Sequence, residues 1–360
     1  MEVSVIHIVL IKSLMVHSLT SEYASSSTTK SSTDMLALQA LKSEIIELPW
    51  NPNNNSFCSW VGVSCGQRHQ RVTALDLSYM HLQGTISPHV GNLTFLRVIN
   101  LRNNSFHGPL PNTVGRLGRL RVLNLGYKQL GGIIPELELL ENGLTGSIPE
   151  DLGCLSQLEH LNLLANQLTG KTPTSLGNLS NLEELNLESN GFSELGRLSN
   201  LIELDIANNY ISGRLPPMIF SFSLVELITL AGNNLSGNVP ELIGFQHSKL
   251  RKLSLHGNRF TGRIPDSISN ASMLAVLELS TNLFSGPVPR TLGGLRYLKV
   301  LNLQYNKLTN NPSERELNFL SALTVCRQLR YLMIGYNPLN GALPHLLETC
   351  PLLSNCSVQD

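Results

Sequence analysis

One repeated pattern of apolar residues constrains the fold of this chain more than any other feature. Residues 274–289 read L-A-V-L-E-L-S-T-N-L-F-S-G-P-V-P, and the skeleton L-x-x-L-x-L-x-x-N-x-F-x-G-x-V-P recurs along the sequence. A fixed period of about 24 residues is typical of a solenoid, in which each coil buries its apolar face against its neighbours. The pattern occurs twelve times, with its Asn position at residues 80, 104, 128, 142, 166, 190, 209, 233, 258, 282, 306 and 337. Met80 and Lys128 stand where the other ten copies have Asn.

Each copy predicts a short strand followed by a turn. In Leu277-Glu278-Leu279 apolar and polar residues alternate, which indicates a strand with one buried face. The Asn amide that follows has donors and acceptors for backbone groups that the turn would otherwise leave unpaired. We therefore expect a ladder of buried Asn side chains that includes Asn258, Asn282 and Asn306. Lys128 should break this ladder, with its ammonium group reaching solvent.

A second motif, G-x-[IVL]-P, closes most copies. It occurs at residues 108–111, 132–135, 146–149, 213–216, 237–240, 262–265, 286–289 and 341–344, and a ninth copy at 170–173 has Thr172 at the apolar position. This motif resembles the plant-specific subclass of leucine-rich repeats, as in the ectodomains of plant receptor-like kinases. The resemblance implies an α/β repeat solenoid. In such a superhelix, parallel strands line the concave face and irregular or 3-10 segments form the convex side.

The residues before the repeats predict three segments. Residues 1–24 match a signal peptide weakly, because the apolar run at 3–11 lacks a basic start and is followed by Lys12. Residues 25–32 are rich in Ser and Thr and are predicted to be a disordered leader. Thr33 or Asp34 should cap a helix that Pro49 stops, within an N-terminal cap at residues 33–70. Residues 71–360 then form the array of about twelve coils and an incomplete thirteenth.

The cap contains a specific cysteine motif. Residues 58–65 read C-S-W-V-G-V-S-C, which resembles the N-terminal cap of plant leucine-rich repeat receptors. The resemblance implies a Cys58–Cys65 disulfide, with Trp60 packed beneath the first coil. No second Cys/His pair with zinc spacing accompanies these cysteines, so a metal site is not predicted. A second disulfide, Cys326–Cys350, is predicted from equivalent positions on adjacent coils, with Cys356 as the competing partner.

Three steps between copies depart from the regular spacing. The step from 128 to 142 is only 14 residues, which predicts a hole in the outer wall or a coil out of register. The step from 190 to 209 has 19 residues and should be tolerated. The step from 306 to 337 has 31, which predicts a helical turn near residues 314–316. The segment 318–329, N-F-L-S-A-L-T-V-C-R-Q-L, resembles an insertion in the receptor-kinase subfamily that senses bacterial patterns.

Composition and motifs narrow the function classes. The balance of 26 basic and 26 acidic residues argues against nucleic acid as the main partner, and no stretch of 18 apolar residues predicts a membrane span. Nucleotide-binding, metalloprotease and nucleophile-elbow motifs are absent, so we expect no cofactor, no metal and no catalysis. Asn-x-Ser/Thr acceptors favour a glycoprotein of the secretory pathway, at the cell surface or in the apoplast. They lie at Asn54, Asn92, Asn103, Asn178, Asn234, Asn270 and Asn355.

The candidate ligand-binding residues are those that flank the inward Leu residues and face the concave side. The middle coils should present Glu138, Glu141, Glu184, Glu188, Glu203 and Asp205, and the C-terminal coils Tyr305 and Tyr336. Like charges on neighbouring strands are destabilising, so a basic peptide or protein segment laid along this face would relieve repulsion, and tyrosines would add contact area. The alternative interpretation is that the acidic residues only solvate an exposed sheet.

The sequence thus favours a receptor ectodomain truncated before the transmembrane and kinase parts that its family carries. It would bind a peptide or protein ligand and, with it, a co-receptor. One alternative is a secreted inhibitor of a cell-wall hydrolase, similar to the polygalacturonase-inhibiting proteins. Those have about ten coils and a C-terminal cap, whereas this sequence has twelve copies and an abrupt end. A gene fragment without function is the third interpretation, supported by the 14-residue step, the weak signal peptide and the missing C-terminal cap.

Overall fold

A computed structural model describes residues 27–51, 53, 56–126, 142–196, 198, 201–216, 219, 222–241 and 249–344. Within these ranges the chain forms two α-helices, Ser27–Glu44 (α1) and Asn318–Leu323 (α2), and strands numbered β1–β23 in chain order. The strands belong to three sheets, of which one runs along the described array and two cover successive parts of it.

The concave sheet has twelve strands in chain order, of which the first pairs antiparallel with the second and all others are parallel. Its strands are β2 (Val63–Cys65), β3 (Val72–Asp76), β5 (Val98–Asn100), β7 (Val122–Asn124), β9 (His160–Asn162), β11 (Glu184–Asn186), β13 (Glu203–Asp205), β15 (Leu227–Thr229), β17 (Lys252–Ser254), β19 (Val276–Glu278), β21 (Val300–Asn302) and β23 (Tyr331–Met333). Leu277 and Leu279 are fully buried, as the alternating pattern predicts. The solenoid core therefore lies directly behind this sheet.

Two shorter sheets form one flank of the solenoid. The first contains β1 (Ile45–Ile46), β4 (Gln83–Thr85), β6 (Ser105–Pro109), β8 (Gly143–Gly146), β10 (Gln167–Lys171) and β12 (Gly191–Glu194). The second contains β14 (Ser212–Arg214), β16 (Asn234–Asn238), β18 (Arg259–Gly262), β20 (Leu283–Pro287) and β22 (Lys307–Thr309). The break between them falls at the 19-residue step. The concave sheet stays continuous there, with Glu184 opposite Glu203, so the short coil is tolerated as predicted.

The convex side consists of short 3-10 segments, as the resemblance implied. After an isolated segment in the cap at Phe57–Ser59, they occupy Pro88–Asn92, Asn112–Arg116, Glu150–Cys154, Thr174–Asn178, Asp266–Asn270 and Arg290–Gly294. The predicted α/β repeat solenoid, with parallel concave strands and a 3-10 convex side, is confirmed.

The predicted Asn ladder is also confirmed. Asn258, Asn282 and Asn306 are buried. The Asn282 amide nitrogen donates to the carbonyl of Leu255 at 2.9 Å and to that of Leu279 at 3.2 Å, whereas its oxygen accepts from the Phe260 N–H at 3.0 Å. Each Asn therefore ties the turn of its own coil to the backbone of the preceding coil.

Replacing Asn282 by Ala should lower the free energy of unfolding by about 1–3 kcal/mol, because buried backbone groups lose partners and gain no water. Chemical denaturation followed by circular dichroism measures this change. Gln157→Ala, at an exposed position, is the control. Equal stabilities of the two variants would show that the ladder contributes little.

The described strands on either side of the 14-residue step are direct neighbours in the concave sheet. Strand β7 pairs directly with β9, and Leu123 lies opposite Leu161. Asn142 occupies the ladder position after Asn104, donating to the Leu125 carbonyl at 2.8 Å and accepting from the Phe106 N–H at 3.0 Å. Among the described residues, eleven parallel strands therefore form the concave sheet, and the Asn ladder passes from Asn104 directly to Asn142.

This arrangement corrects the predicted break in the ladder. The described coils on either side pair in register, and Asn142 fills the position at which the break was expected. The outer wall of the short coil lies outside the described residues, so the predicted hole there stays a prediction. The physical reason is the cost of burying an unpaired ammonium group, which makes the Asn142 amide the better occupant than Lys128. Lys128, Glu138, Glu141 and the predicted strand at 137–139 lie outside the described residues.

The N-terminal cap also differs from the prediction. Helix α1 begins at Ser27, within the segment expected to be a disordered leader, and Asp34 lies inside it instead of capping it. The Asp34 carboxylate is fully buried and pairs with both Nε and Nη2 of Arg71, at 2.8 and 2.7 Å. The helix ends at Glu44, before Pro49, because Ile45–Ile46 pairs antiparallel with β4. A buried ion pair and a strand thus fasten α1 to the first coil.

The predicted cap disulfide is present. Cys58 and Cys65 are bonded, with their Cα atoms 5.5 Å apart. Trp60 is buried, and its ring centroid lies 5.1 Å from that of Trp50. These residues cover the apolar N-terminal end of the coil stack.

The predicted Cys326–Cys350 disulfide is wrong. Cys326 is a free, buried thiol whose Sγ lies 3.6 Å from the Gly293 carbonyl oxygen and 3.7 Å from that of Leu292. Its side chain points towards the preceding coil, a direction that equivalent sequence positions do not reveal. Cys350 and Cys356 lie outside the described residues. The helical turn expected near residues 314–316 lies slightly later, as α2. Glu314, four residues before α2, pairs through its carboxylate with Arg290 at 2.6 Å.

Candidate functional site

The concave sheet brings four predicted acidic residues together. Glu184 on β11 lies opposite Glu203 on β13, and Asp205 follows two residues later. Glu188 lies just beyond β11, where its carboxylate accepts from the Asn208 side chain at 3.3 Å. We call Glu184, Glu188, Glu203 and Asp205 the acidic centre; all four are partly buried. Because adjacent strands are about 4.8 Å apart, these carboxylates lie within one small area.

His160 also belongs to this site, although it is not among the ligand-binding residues predicted from the sequence. It lies opposite Glu184 in the sheet, and its Nδ1 is 3.2 Å from Glu184 Oε2. This hydrogen bond, with the charges of Glu184, Glu183 and Glu159, raises the pKa of His160 against the opposing effect of burial. When His160 is protonated, its imidazolium compensates part of the acidic charge. His160 and Glu184 occupy the same position in adjacent coils, so an alignment of the coils could have predicted this pair.

Asp205 is the most perturbed acid of the centre. Burial, together with the charges of Glu188 and Glu203, raises the pKa of its carboxyl group to about 7, although the Ala207 N–H and Lys252 act in the opposite direction. The Ala207 N–H donates to Asp205 Oδ1 at 3.1 Å. The carboxyl group is thus protonated below about pH 7 and charged above it.

Aromatic residues lie towards both ends of the concave face. Tyr305 and Tyr336 stack with ring centroids 4.1 Å apart and an interplanar angle of 8°, and both are about half exposed. Both have left-handed φ values, 54° and 58°, at a position where Gly232 and Gly257 stand in other coils. A bulky residue is disfavoured in this conformation. At the N-terminal end, Tyr79 lies under the Arg102 guanidinium at 5.0 Å.

The described glycosylation acceptors lie mostly away from the concave sheet. Asn92, Asn178 and Asn270 each end a 3-10 segment on the convex side, and Asn234 begins β16 on the flank. Asn103 is the exception, since it lies next to the concave strand β5 with a φ of 57°. Asn54 and Asn355 lie outside the described residues. Glycans on the first four sites would leave the acidic centre open.

Two kinds of site are missing from the part of the chain that the structure describes. It contains no group of three or more His, Cys, Asp or Glu side chains placed to hold a metal ion. None of its helices combines the length and the apolar character needed to cross a membrane.

The chain belongs to the leucine-rich repeat family. A leucine rich repeat N-terminal domain model matches residues 31–66, a leucine-rich repeat region model matches 67–231, and a leucine rich repeat model matches 248–308. Together these matches span more than half of the chain.

Its relatives are plant receptor kinases. It is 45% identical over 86 residues to the LRR receptor-like serine/threonine-protein kinase EFR of Arabidopsis thaliana, which covers 22% of this chain and 8% of the relative. With GSO2, another such kinase of Arabidopsis thaliana, identity is 34% over 134 residues, 35% of this chain and 10% of the relative. The matched segments thus span no more than about a tenth of these relatives.

A solved structure extends the similarity over most of the array. The leucine-rich repeat ectodomain of the plant membrane receptor kinase GASSHO1/SCHENGEN3 from Arabidopsis thaliana superimposes with a TM-score of 0.77 and 30% identity. The match covers 86% of this chain and 36% of that chain.

Proposed function

We propose that this chain is an extracellular ligand-recognition scaffold that binds a basic peptide or protein segment along its concave face. The observation that carries the proposal is the acidic centre, in which Glu184 and Glu203 lie on adjacent, paired strands. Like charges placed in this way are destabilising. A cationic ligand would remove that repulsion and form charge-assisted hydrogen bonds in a partly desolvated setting.

Other features support an extended protein ligand. The GASSHO1/SCHENGEN3 ectodomain was solved in complex with CASPARIAN STRIP INTEGRITY FACTOR 2. In this chain, the stacked Tyr305 and Tyr336 rings add rigid contact area at the C-terminal end of the same face, for the ligand or for a co-receptor. The Cys58–Cys65 disulfide favours secretion to the cell surface or the apoplast, as do the exposed glycosylation acceptors Asn178, Asn234 and Asn270.

Reversing two charges of the acidic centre tests the proposal. The variant Glu184→Lys/Glu188→Lys should bind immobilised hexalysine peptide at least about tenfold more weakly than the wild type in low salt, because attraction becomes repulsion. Wild-type affinity should also fall as salt is raised. Surface plasmon resonance with the full chain measures both effects.

A matched control reverses two exposed charges on the convex side, in Glu150→Lys/Asp151→Lys. Its net charge changes equally, so a general electrostatic effect would weaken both variants alike. Undiminished binding by the concave variant, or binding insensitive to salt, would remove the electrostatic basis of the proposal.

A further inference from the structure

Asp205 and Thr229 are neighbours on the concave sheet, and the Thr229 hydroxyl lacks a hydrogen-bond partner among the described residues. Strands β13 and β15 pair in parallel, and Asp205 lies opposite Thr229 at their last residues. Thr229 is 7% exposed, and its Oγ1 is buried without a hydrogen-bond partner among the described residues. Buried hydroxyl groups in native proteins nearly always have a partner, so this one requires an explanation.

Charged groups surround Asp205 from several strands. Glu203 precedes it on β13, Glu184 lies on β11 and Glu188 just after that strand, while His160 on β9 pairs with Glu184. Lys252 on β17 is the cation that lowers the Asp205 pKa. The neighbours directly opposite Asp205 are Asn186 and Thr229, both neutral. Acidic groups thus outnumber cations around Asp205. Both this excess of negative charge and burial disfavour the charged form of its carboxyl group.

We propose that Asp205 and Thr229 form a subsite that receives one cationic N–H donor group of the ligand in exchange for a proton. The carboxyl O–H bond of Asp205 breaks, its proton passes to solvent, and the resulting carboxylate accepts a hydrogen bond from the incoming group. Thr229, after rotation of its side chain, accepts a second hydrogen bond through its hydroxyl oxygen. This subsite rests on the proposed function, since it names the chemistry that the concave face selects.

The exchange makes binding dependent on pH. Because Asp205 is protonated below about pH 7, ligand affinity should rise about tenfold per pH unit up to that point and level off above it. His160 titrates with the same sign, since loss of its positive charge also favours a cation. Variants of Asp205 and of His160 therefore have to be compared to find which residue causes the pH dependence.

Isothermal titration of the full chain with hexalysine tests the subsite. At pH 6, in two buffers of different ionisation enthalpy, the wild type should release about one proton per bound peptide. Asp205→Asn should abolish most of this release and flatten the pH dependence, whereas His160→Gln should retain most of both. Thr229→Val, which is nearly isosteric, should weaken binding several-fold and leave proton release unchanged.

Asp76→Asn is the matched control, because Asp76 ends β3 at the same strand position but lies at the N-terminal end of the sheet. It should behave as the wild type does. Proton release that persists in Asp205→Asn, or unchanged affinity in Thr229→Val, would overturn the subsite and leave concave binding intact. If the wild type bound no hexalysine between pH 5.5 and 8, the proposed function would fail together with the subsite.

Discussion

Replacing Asp34 by Ala should lower the free energy of unfolding of the N-terminal coils by about 3–5 kcal/mol. The substitution leaves the Arg71 guanidinium charged and nearly inaccessible, with its side chain only 8% exposed. It also removes the acceptor for the Val72 N–H, which bonds to Asp34 Oδ2 at 2.9 Å at the start of the first concave coil. The cap helix α1 would then lose its ionic attachment to the array.

Urea denaturation and hydrogen exchange measure this effect, and exchange should rise mainly in α1 and β3, since each coil contacts only its neighbours. The double variant Asp34→Leu/Arg71→Met is the control for the charge itself. Because it removes both ions, it should be more stable than Asp34→Ala. Equal losses in both variants would instead assign the effect to packing.

Replacing Phe284 by Ala should cost about 3–5 kcal/mol, the range for deleting a large buried aromatic side chain. Phe284 is fully buried, and its ring stacks on that of Phe260 in the preceding coil, with centroids 6.1 Å apart. The substitution therefore opens a cavity at a contact that joins two coils.

Phe284→Leu should cost much less, because most of the volume is retained. Tyr297→Ala, at a side chain that is about half exposed, is the control for loss of an aromatic ring. Thermal and urea denaturation of the three variants measure the order. A loss in Phe284→Ala no larger than in Tyr297→Ala would contradict the assignment of Phe284 to the core.

The fold could be predicted because the repeat period fixes which residues are buried, which form strands and which form the ladder. The period could not choose between Lys128 and Asn142 for one ladder position, since both follow a strand-like pattern. The cost of a buried ammonium group decides that choice. The prediction that Asp34 caps the helix was wrong because it used only the neighbouring residues. The partner that fixes the position of Asp34 is Arg71, which lies 37 residues away in the sequence.

The candidate site was less accessible to sequence reasoning. The positions of Glu184, Glu203 and Asp205 followed from the strand pattern, and the His160–Glu184 pair could have been found by aligning adjacent coils. The unpaired hydroxyl of Thr229 and the raised pKa of Asp205 depend on burial and hydrogen bonding among four strands. The direction of the Cys326 side chain likewise depends on how one coil rests on the next.

The break between the two flank sheets has a mechanical consequence. On the concave side, the backbone bonds of the short coil are intact, and the N–H groups of Ile202 and Glu203 both donate to the Glu183 carbonyl, at 2.8 and 2.9 Å. On the flank, β12 ends one sheet and β14 begins the next, and the described residues are joined there by the Tyr210 N–H to Phe192 carbonyl bond of 2.9 Å instead of a continuous ladder. We therefore expect this coil, directly behind β11 and β13, to bend more easily than described coils whose flank strands pair in a ladder. The solenoid could therefore change its curvature at the coil where the acidic centre would bind a ligand.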